Sequence, residues 1–272
     1  MSYLEIGGSR LFYERTGVGS PPLLFVHGFA CGQDDWRYQV EHFSRSNLTV
    51  ACDLRGHGNS GTGHGECTIE ALGDDIGRLL KSLNLPPAVL IGHSMGCRVV
   101  LQAYRTMPEV VSGLILVDGS RLATGSRPEV EKKARQTMKK TGYADWARRA
   151  FDNMFTAGSD ASLRASIIKR ALALSEQVGI PLFTSLCGWD AGEMDSALVQ
   201  IRVPLLLIQS TTVNANMERV SLQPRDTTPW LELVRSHVPG AQIEIISGTG
   251  HFPMLEAPEE VNQRIAAFLA AS

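Results

Sequence analysis

The chain has 272 residues, of which 43% are hydrophobic and 20% are charged, and this composition is too apolar for a disordered protein. The formal net charge is −2 at pH 7, so no basic excess points to nucleic acid or to an anionic membrane surface. The length suits one large domain, or a core with one insertion.

The cysteines indicate a reducing compartment. Five of them are scattered through the chain without the spacing of a disulfide framework: Cys31, Cys52, Cys67, Cys97 and Cys187. The amino-terminal residues lack the basic and apolar stretches of a signal peptide, and every apolar run is far shorter than the roughly 18 residues that span a bilayer. We therefore expect a cytoplasmic protein with reduced thiols, whose oligomeric state the sequence leaves open.

Short apolar runs alternate with helical patterns in the first part of the chain. The predicted strands cover residues 3–6, 11–15, 22–26, 48–52, 88–91 and 114–117, and the predicted helices cover 36–43, 68–83 and 95–107. A hairpin turn is expected at Gly7-Gly8. The later runs are apolar throughout, as in strands that are covered on both faces.

The pattern changes to charged, alanine-rich helical segments between Ser120 and Leu198. Strands are again predicted at 205–208 and 242–246, with helices at 228–237 and 258–270. We therefore predict an α/β fold, with a mostly parallel central sheet flanked by helices and formed by residues 1–119 and 199–272. Residues 120–198 are expected to form an inserted helical cap.

One motif predicts nucleophilic chemistry. Gly92-His93-Ser94-Met95-Gly96 lies between a predicted strand and a predicted helix. A serine in this position occupies a sharp turn, with its hydroxyl raised out of the sheet at a helix N-terminus that favours negative charge. The backbone N–H of Met95 is then placed to bind an oxyanion. A helix N-cap serine is the simpler alternative.

Three further segments share a pattern with known proteins. His27-Gly28-Phe29 follows the third strand, the run from Asp53 to Ser60 reads Asp-x-Arg-Gly-x-Gly-x-Ser after the fourth, and Gly248-Thr249-Gly250-His251-Phe252-Pro253 follows the last. With the Ser94 motif, the chain resembles the α/β-hydrolase fold family nearly end to end. The resemblance implies that Phe29 supplies the second oxyanion N–H and that His251 is the base. The position of His251 also favours it as the base, because its glycine-rich loop follows a predicted strand at the sheet edge where Ser94 lies.

The acid that should orient His251 is harder to place. The family usually has an aspartate after the penultimate core strand, but here that strand is followed by Thr211-Thr212-Val213-Asn214. Asp226 is our first choice, because Asp226-Thr227-Thr228-Pro229 reproduces the family's Asp-then-Pro arrangement before a helix, displaced by a looped-out segment from Thr211 to Arg225. Asp118, at the end of the strand 114–117, and Glu218 are the alternatives.

Two other patterns suggest cofactors only superficially. Gly56 to Gly61 matches G-x-G-x-x-G, but no helix opens inside the motif, as a dinucleotide site requires. Cys52, His57, His64 and Cys67 match no zinc spacing. We expect no cofactor and no metal. We assign a structural role to His27 and to the turn from Asp53 to Ser60, with Arg55 bonding backbone carbonyls.

The sequence therefore predicts a serine hydrolase that cleaves small carboxylic esters, lactones or thioesters through an acyl-enzyme. Its partner is expected to be a small-molecule substrate, with no nucleic acid and no membrane. Serine rather than aspartate at the motif disfavours haloalkane dehalogenase or epoxide hydrolase chemistry. Three alternatives stay open, namely a small-ligand receptor with little turnover, a carbon–carbon bond hydrolase and a cofactor-free haloperoxidase. The aromatic residues of the insertion are expected mostly to form its own core: Trp146, Phe151, Phe155, Phe183 and Trp189.

Overall fold

The computed structural model describes residues 2–6, 8–63, 65, 67–214 and 218–271. The strands are β1 (Ser2–Ile6), β2 (Ser9–Thr16), β3 (Leu23–Val26), β4 (Thr49–Cys52), β5 (Ala88–His93), β6 (Val111–Val117), β7 (Leu205–Gln209), β8 (Thr211–Val213), β9 (Arg219–Ser221) and β10 (Gln242–Ile245). The helices are α1 (Arg37–Phe43), α2 (Ile69–Ser82), α3 (Met95–Thr106), α4 (Arg127–Thr141), α5 (Tyr143–Asp152), α6 (Ala161–Ala173), α7 (Glu176–Gly192), α8 (Met194–Val199), α9 (Pro229–His237), α10 (Pro253–Glu256) and α11 (Pro258–Ala271).

Eight strands form one sheet in the order β1-β2-β4-β3-β5-β6-β7-β10. The pairs β1-β2 and β2-β4 are antiparallel, and all other neighbours in this sheet are parallel. Two groups of helices flank it, α2 with α3 and α1 with α11, and every residue of β3, β4, β5 and β7 is buried. The predicted α/β class and mostly parallel sheet are confirmed, and the continuous apolar runs have the predicted cause: the strands are covered on both faces.

The chain between β6 and β7 is helical. Every residue from 118 to 204 is described, and none of them lies in a strand. We call α4 to α8 the inserted helices. Two ion pairs tie them to the sheet-bearing part: Arg98 of α3 contacts Asp190 of α7 at 2.8 Å in a buried pair, and the buried carboxylate of Asp35 contacts the partly exposed Arg170 of α6 at 2.7 Å.

The sequence pattern misses one element. It predicts a looped-out segment at residues 211–225, but Thr211–Val213 and Arg219–Ser221 pair as the antiparallel strands β8 and β9. The predicted amino-terminal hairpin is present, with Ile6 opposite Ser9, whereas Gly7 lies outside the described residues. Within the described part of the chain, no helix is both long and apolar enough to cross a bilayer.

Candidate active site

Ser94 lies at the sharp turn between β5 and α3. Its backbone has φ 54° and ψ −113°, a strained combination for a residue with a side chain. The turn brings backbones very close: a Cβ on Gly96 would lie 2.5 Å from the Val26 carbonyl oxygen, and one on Gly92 would lie 2.3 Å from the Gly96 carbonyl oxygen. Only glycine fits at these two positions, and the half-buried Ser94 side chain is thereby held at the N-terminus of α3.

His251 meets Ser94 from the loop between β10 and α10. Its Nε2 lies 2.8 Å from Ser94 Oγ. The His251 backbone is fixed on both sides, because its N–H donates to the Met154 carbonyl and its carbonyl accepts a hydrogen bond from His93 Nε2. The imidazole is almost completely buried and therefore has little freedom to leave Ser94.

The carboxylate at the other side of the imidazole belongs to Asp118, directly after β6. Asp118 Oδ2 lies 2.5 Å from His251 Nδ1 and also accepts a hydrogen bond from Thr211 Oγ1 at 2.6 Å. Asp118 Oδ1 accepts hydrogen bonds from the Ser210 and Thr211 amides, each at 2.8 Å. The carboxylate is therefore buried with both of its oxygens hydrogen-bonded.

The expectation for Asp226 is not met, because the structure does not bring it to His251. Asp226 lies in an exposed turn before α9, where its carboxylate accepts a hydrogen bond from the Gln223 amide at 2.7 Å. Glu218 is also exposed and is hydrogen-bonded to Asn214. The Asp-then-Pro pattern predicted the start of α9 correctly, with Thr228 as its N-cap, but it did not locate the carboxylate that contacts His251.

Burial and neighbouring charges set the protonation states of this cluster. Burial alone raises the pKa of Asp118, but the hydrogen bond and charge of His251, together with Arg219 and Thr211, outweigh it and hold that pKa at about 2. Burial lowers the pKa of His251, and the Arg219 charge lowers it further against the opposing effect of Asp118. At neutral pH the site therefore combines a carboxylate with a neutral imidazole, the form that can accept a proton.

The two residues expected to bind an oxyanion through their backbone N–H groups, Phe29 and Met95, both belong to segments that pass close to Ser94. Phe29 follows Gly28, and a Cβ on Gly28 would lie only 3.2 Å from Ser94 Cβ, so this loop passes directly beside the serine. Met95 is the first residue of α3. Within the described part of the chain, neither the Phe29 nor the Met95 amide donates a hydrogen bond. Both amides thus lack an internal hydrogen-bond partner, as the donors of an oxyanion site would.

Aromatic residues of the inserted helices pack over the Phe29 ring. Its centroid lies 6.0 Å from that of Trp146, 6.4 Å from Phe151 and 5.7 Å from Phe183. Phe151 is buried, as expected of a core residue, but Trp146 and Phe183 are only partly buried. These two rings line a cavity of about 440 Å³, whose other apolar lining residues are Leu122, Ala123, Val130, Ala134 and Cys187.

Sequence reasoning missed Arg219. Its Nη1 lies 2.8 Å from Thr211 Oγ1, 3.3 Å from His251 Nδ1 and 3.7 Å from Asp118 Oδ2. No motif signals an arginine in an insertion. Only the pairing of β9 with β8 brings it to the proposed base and acid.

Two residues were expected to have structural roles, and the structure shows the contacts of each, His27 and Arg55. His27 Nε2 accepts a hydrogen bond from the Leu54 amide at 2.9 Å, which is a backbone contact of the kind expected of a structural residue. Arg55 differs from expectation, since it forms a bidentate pair with Asp75 at 2.8 and 2.7 Å instead of bonding backbone carbonyls.

The structure describes three of the four residues of the zinc-like pattern, namely Cys52, His57 and Cys67. His57 Nε2 accepts a hydrogen bond from the Ala30 amide, and Cys52 is buried in β4. His64 lies outside the described residues. Among the described residues, no group of three His, Cys, Asp or Glu side chains has metal-binding geometry.

Comparison with known protein families assigns the chain to one of them. A model described as "Alpha/beta hydrolase family" matches residues 23–264. The match covers most of the chain, and the chain therefore belongs to the alpha/beta hydrolase family.

Its relatives have varied names. The chain is 26% identical over 284 aligned residues to a dihydrolipoyllysine-residue acetyltransferase component of an acetoin cleaving system from Pseudomonas putida, covering 97% of this chain and 68% of that protein. It is 24% identical to an (E)-2-((N-methylformamido)methylene)succinate hydrolase from Acinetobacter baylyi, covering 98% and 97% of the two chains. Among solved structures, a thermophilic esterase from Thermogutta terrifontis superposes with a TM-score of 0.82 at 24% identity, covering 100% and 99%, which shows a shared fold.

Proposed function

We propose that the protein is a serine hydrolase that cleaves small carboxylic esters, including lactones or thioesters. The observation that carries the proposal is the line of three side chains Ser94, His251 and Asp118, joined at 2.8 and 2.5 Å. A serine hydroxyl is a weak nucleophile until a base removes its proton, and the base in turn needs an acceptor that fixes its tautomer. This cluster supplies both.

The reaction follows from these contacts. His251 Nε2 takes the proton of Ser94 as Oγ forms a bond to the substrate carbonyl carbon, and the carbonyl oxygen becomes an oxyanion held by the Phe29 and Met95 amides. The C–O bond to the alcohol then breaks, and the alcohol leaves with the proton from His251. A water molecule, deprotonated by His251, attacks the acyl-enzyme, which releases the acid and restores Ser94. Throughout, Asp118 stabilises the imidazolium that forms.

The cavity beside Phe29 supports an apolar group in the substrate. Trp146 and Phe183 contact the ring of the residue whose amide would bind the oxyanion, and they also line the cavity. An acyl chain or aromatic ring there would bury apolar surface worth about 0.8 kcal/mol for each CH₂ group. We therefore expect kcat/KM to rise with acyl length from acetyl to medium-chain esters.

The decisive experiment is labelling with a fluorophosphonate, followed by peptide mass spectrometry and by turnover of p-nitrophenyl esters of graded chain length. The proposal expects label on Ser94 and turnover that increases with chain length. Trp146→Ala should reduce the preference for longer esters, and Trp146→Phe should keep most of it. Absence of label on Ser94 would overturn the proposal. Labelling with negligible turnover of every ester would instead favour a small-ligand receptor.

The cellular setting is also part of the proposal. All five cysteines are free and buried in the structure, and none forms a disulfide. This pattern supports a reducing compartment, and we propose the cytoplasm. The substrate would then be a small intracellular ester.

A further inference from the structure

The hairpin of β8 and β9 places a cation directly behind the proposed acid and base. Arg219 is the first residue of β9, and only 17% of its side chain is exposed. Its Nη1 donates to Thr211 Oγ1 at 2.8 Å, and the Thr211 hydroxyl contacts Asp118 Oδ2 at 2.6 Å. The three residues thus form a hydrogen-bonded chain that ends at the same carboxylate oxygen that His251 uses.

The donors and acceptors of this chain fix its direction. A guanidinium has only donors, so the Thr211 oxygen must accept from Arg219. The hydroxyl proton is then free to point at Asp118, which can only accept because it is ionised. Arg219 therefore holds the Thr211 hydroxyl in the orientation that donates to Asp118.

The contact with the imidazole has a different character. Arg219 Nη1 lies 3.3 Å from His251 Nδ1, but that nitrogen directs its own proton to Asp118. Two donors face each other, so no hydrogen bond forms between them, and the guanidinium acts on the ring as a nearby positive charge. A like charge at this distance disfavours the protonated imidazole.

We propose that Arg219 is a positioning residue of the proposed hydrolase: it orients Thr211 toward Asp118 and keeps His251 in the neutral form that can act as a base. This inference rests on the proposed function for its catalytic meaning, although its effect on His251 can be measured without turnover. Its consequence is that His251 stays neutral to a lower pH than a histidine paired with aspartate alone, which extends activity toward acid pH.

The other charged and titratable groups near His251 lower its pKa less than Arg219 does, or raise it. Asp118, after β6, acts in the opposite direction, and Arg98, on α3, acts in the same direction as Arg219 but has less influence. His93, on β5, stacks at 4.8 Å between ring centroids, but burial lowers its pKa to about 3, so it is neutral in the relevant range. Arg219 is the main charge that opposes protonation of His251.

The test is a ¹⁵N-histidine NMR titration of the imidazole nitrogens, with His251 assigned by its absence in His251→Ala. In the unaltered protein the midpoint should lie below 6.5. Arg219→Gln keeps a donor for Thr211 but removes the charge, and it should raise the midpoint by about one pH unit or more. Arg219→Lys keeps a charge and should restore a midpoint near that of the parent.

A matched control removes an arginine elsewhere. Arg235 lies on α9, where it pairs with Glu232 and is about half exposed, and Arg235→Gln should leave the midpoint unchanged. The acid limb of kcat/KM should move with the NMR midpoint in each variant. If the role of Arg219 were purely structural, Arg219→Gln would have a lower melting temperature, but neither the NMR midpoint of His251 nor the acid limb of kcat/KM would move.

The outcomes separate this inference from the proposed function. An Arg219→Gln midpoint within error of the parent, or an equal rise in Arg219→Lys, would overturn the role of the charge. If Arg219→Gln fails to fold, Arg219→Met removes the same charge with a long apolar side chain, and a His251 midpoint in Arg219→Met within error of the parent contradicts the inference. Absence of ester turnover would refute the proposed function and leave the NMR result to stand by itself.

Discussion

Replacement of Asp118 by asparagine tests the proposed acid with the smallest change of shape. The amide oxygen of the introduced side chain can keep the hydrogen bonds from the Ser210 and Thr211 amides. The NH₂ group then takes the place of Oδ2 and points a donor at His251 Nδ1. That nitrogen must become an acceptor, which moves the ring proton to Nε2, opposite Ser94. A ring in this tautomer cannot accept the serine proton.

The size of the effect follows from this tautomer change. The corresponding change in serine proteases lowers kcat by about 10⁴, or about 5 kcal/mol of transition-state stabilisation. Stability also falls. The pKa of Asp118 is about 2 in the folded protein against an ordinary 3.8, and this difference stabilises the fold by about 2 kcal/mol above pH 4. Since the folded pKa is the lower one, that contribution disappears as the pH falls through about 2.

The assay is hydrolysis of a p-nitrophenyl ester at pH 7, with the folded fraction measured by circular dichroism. Asp226→Asn is the control, because its carboxylate lies in an exposed turn and contacts only local backbone. We expect Asp226→Asn to retain nearly parental kcat. Loss of activity in Asp226→Asn, together with near-parental activity in folded Asp118→Asn, would refute the reasoning.

Three further predictions concern the nucleophile, the base and the buried ion pair. Ser94→Ala should lower kcat for ester hydrolysis by about 10⁶ while the protein stays folded, and near-parental turnover would remove Ser94 as the nucleophile. The acid limb of kcat/KM should have a midpoint below 6.5, because activity is lost only as the neutral imidazole of His251 is protonated and its pKa is lowered by burial and by a neighbouring cation; a midpoint clearly above 6.5 would contradict this. Asp190→Asn should lower the free energy of unfolding in urea by about 3–5 kcal/mol, because it leaves the buried charge of Arg98 unpaired. The half-exposed carboxylate of Asp195 serves as the control, and Asp195→Asn should cost less than about 1 kcal/mol.

Much of the architecture could be predicted from local pattern. Continuous apolar runs such as Leu23–Val26 indicated strands that are covered on both faces, and the helical spacing after Thr68 indicated α2. The turn at Ser94 was also readable, because a glycine is required two residues before and two residues after the serine by backbone contacts within a short stretch of chain. Such features depend on neighbours in sequence, and they can be recognised without knowledge of the tertiary structure.

The identity of the carboxylate beside His251, the proposed acid, depended on which strands are neighbours in space. β6 and β7 are parallel, with Val117 opposite Ile208. This register places Asp118 at the end of β6 beside the two amides that follow β7, and these amides hold its carboxylate against His251. The sequence pattern favoured Asp226 because spacing along the chain is visible in a sequence, whereas the distance in space between the ends of two strands is not.

Arg219 is a second residue whose position beside His251 could not be predicted from spacing along the chain. The sequence determined that an insertion follows the penultimate core strand, but not that it folds back as β8 and β9. The hairpin brings a long, charged side chain to within 3.3 Å of an imidazole that lies 32 residues further along the chain. Residue types and local spacing therefore determined the strands, the serine turn and the histidine loop. The carboxylate and the cation that surround that histidine were set by the packing of distant segments, because electrostatic contacts depend on distance in space and not on distance in sequence.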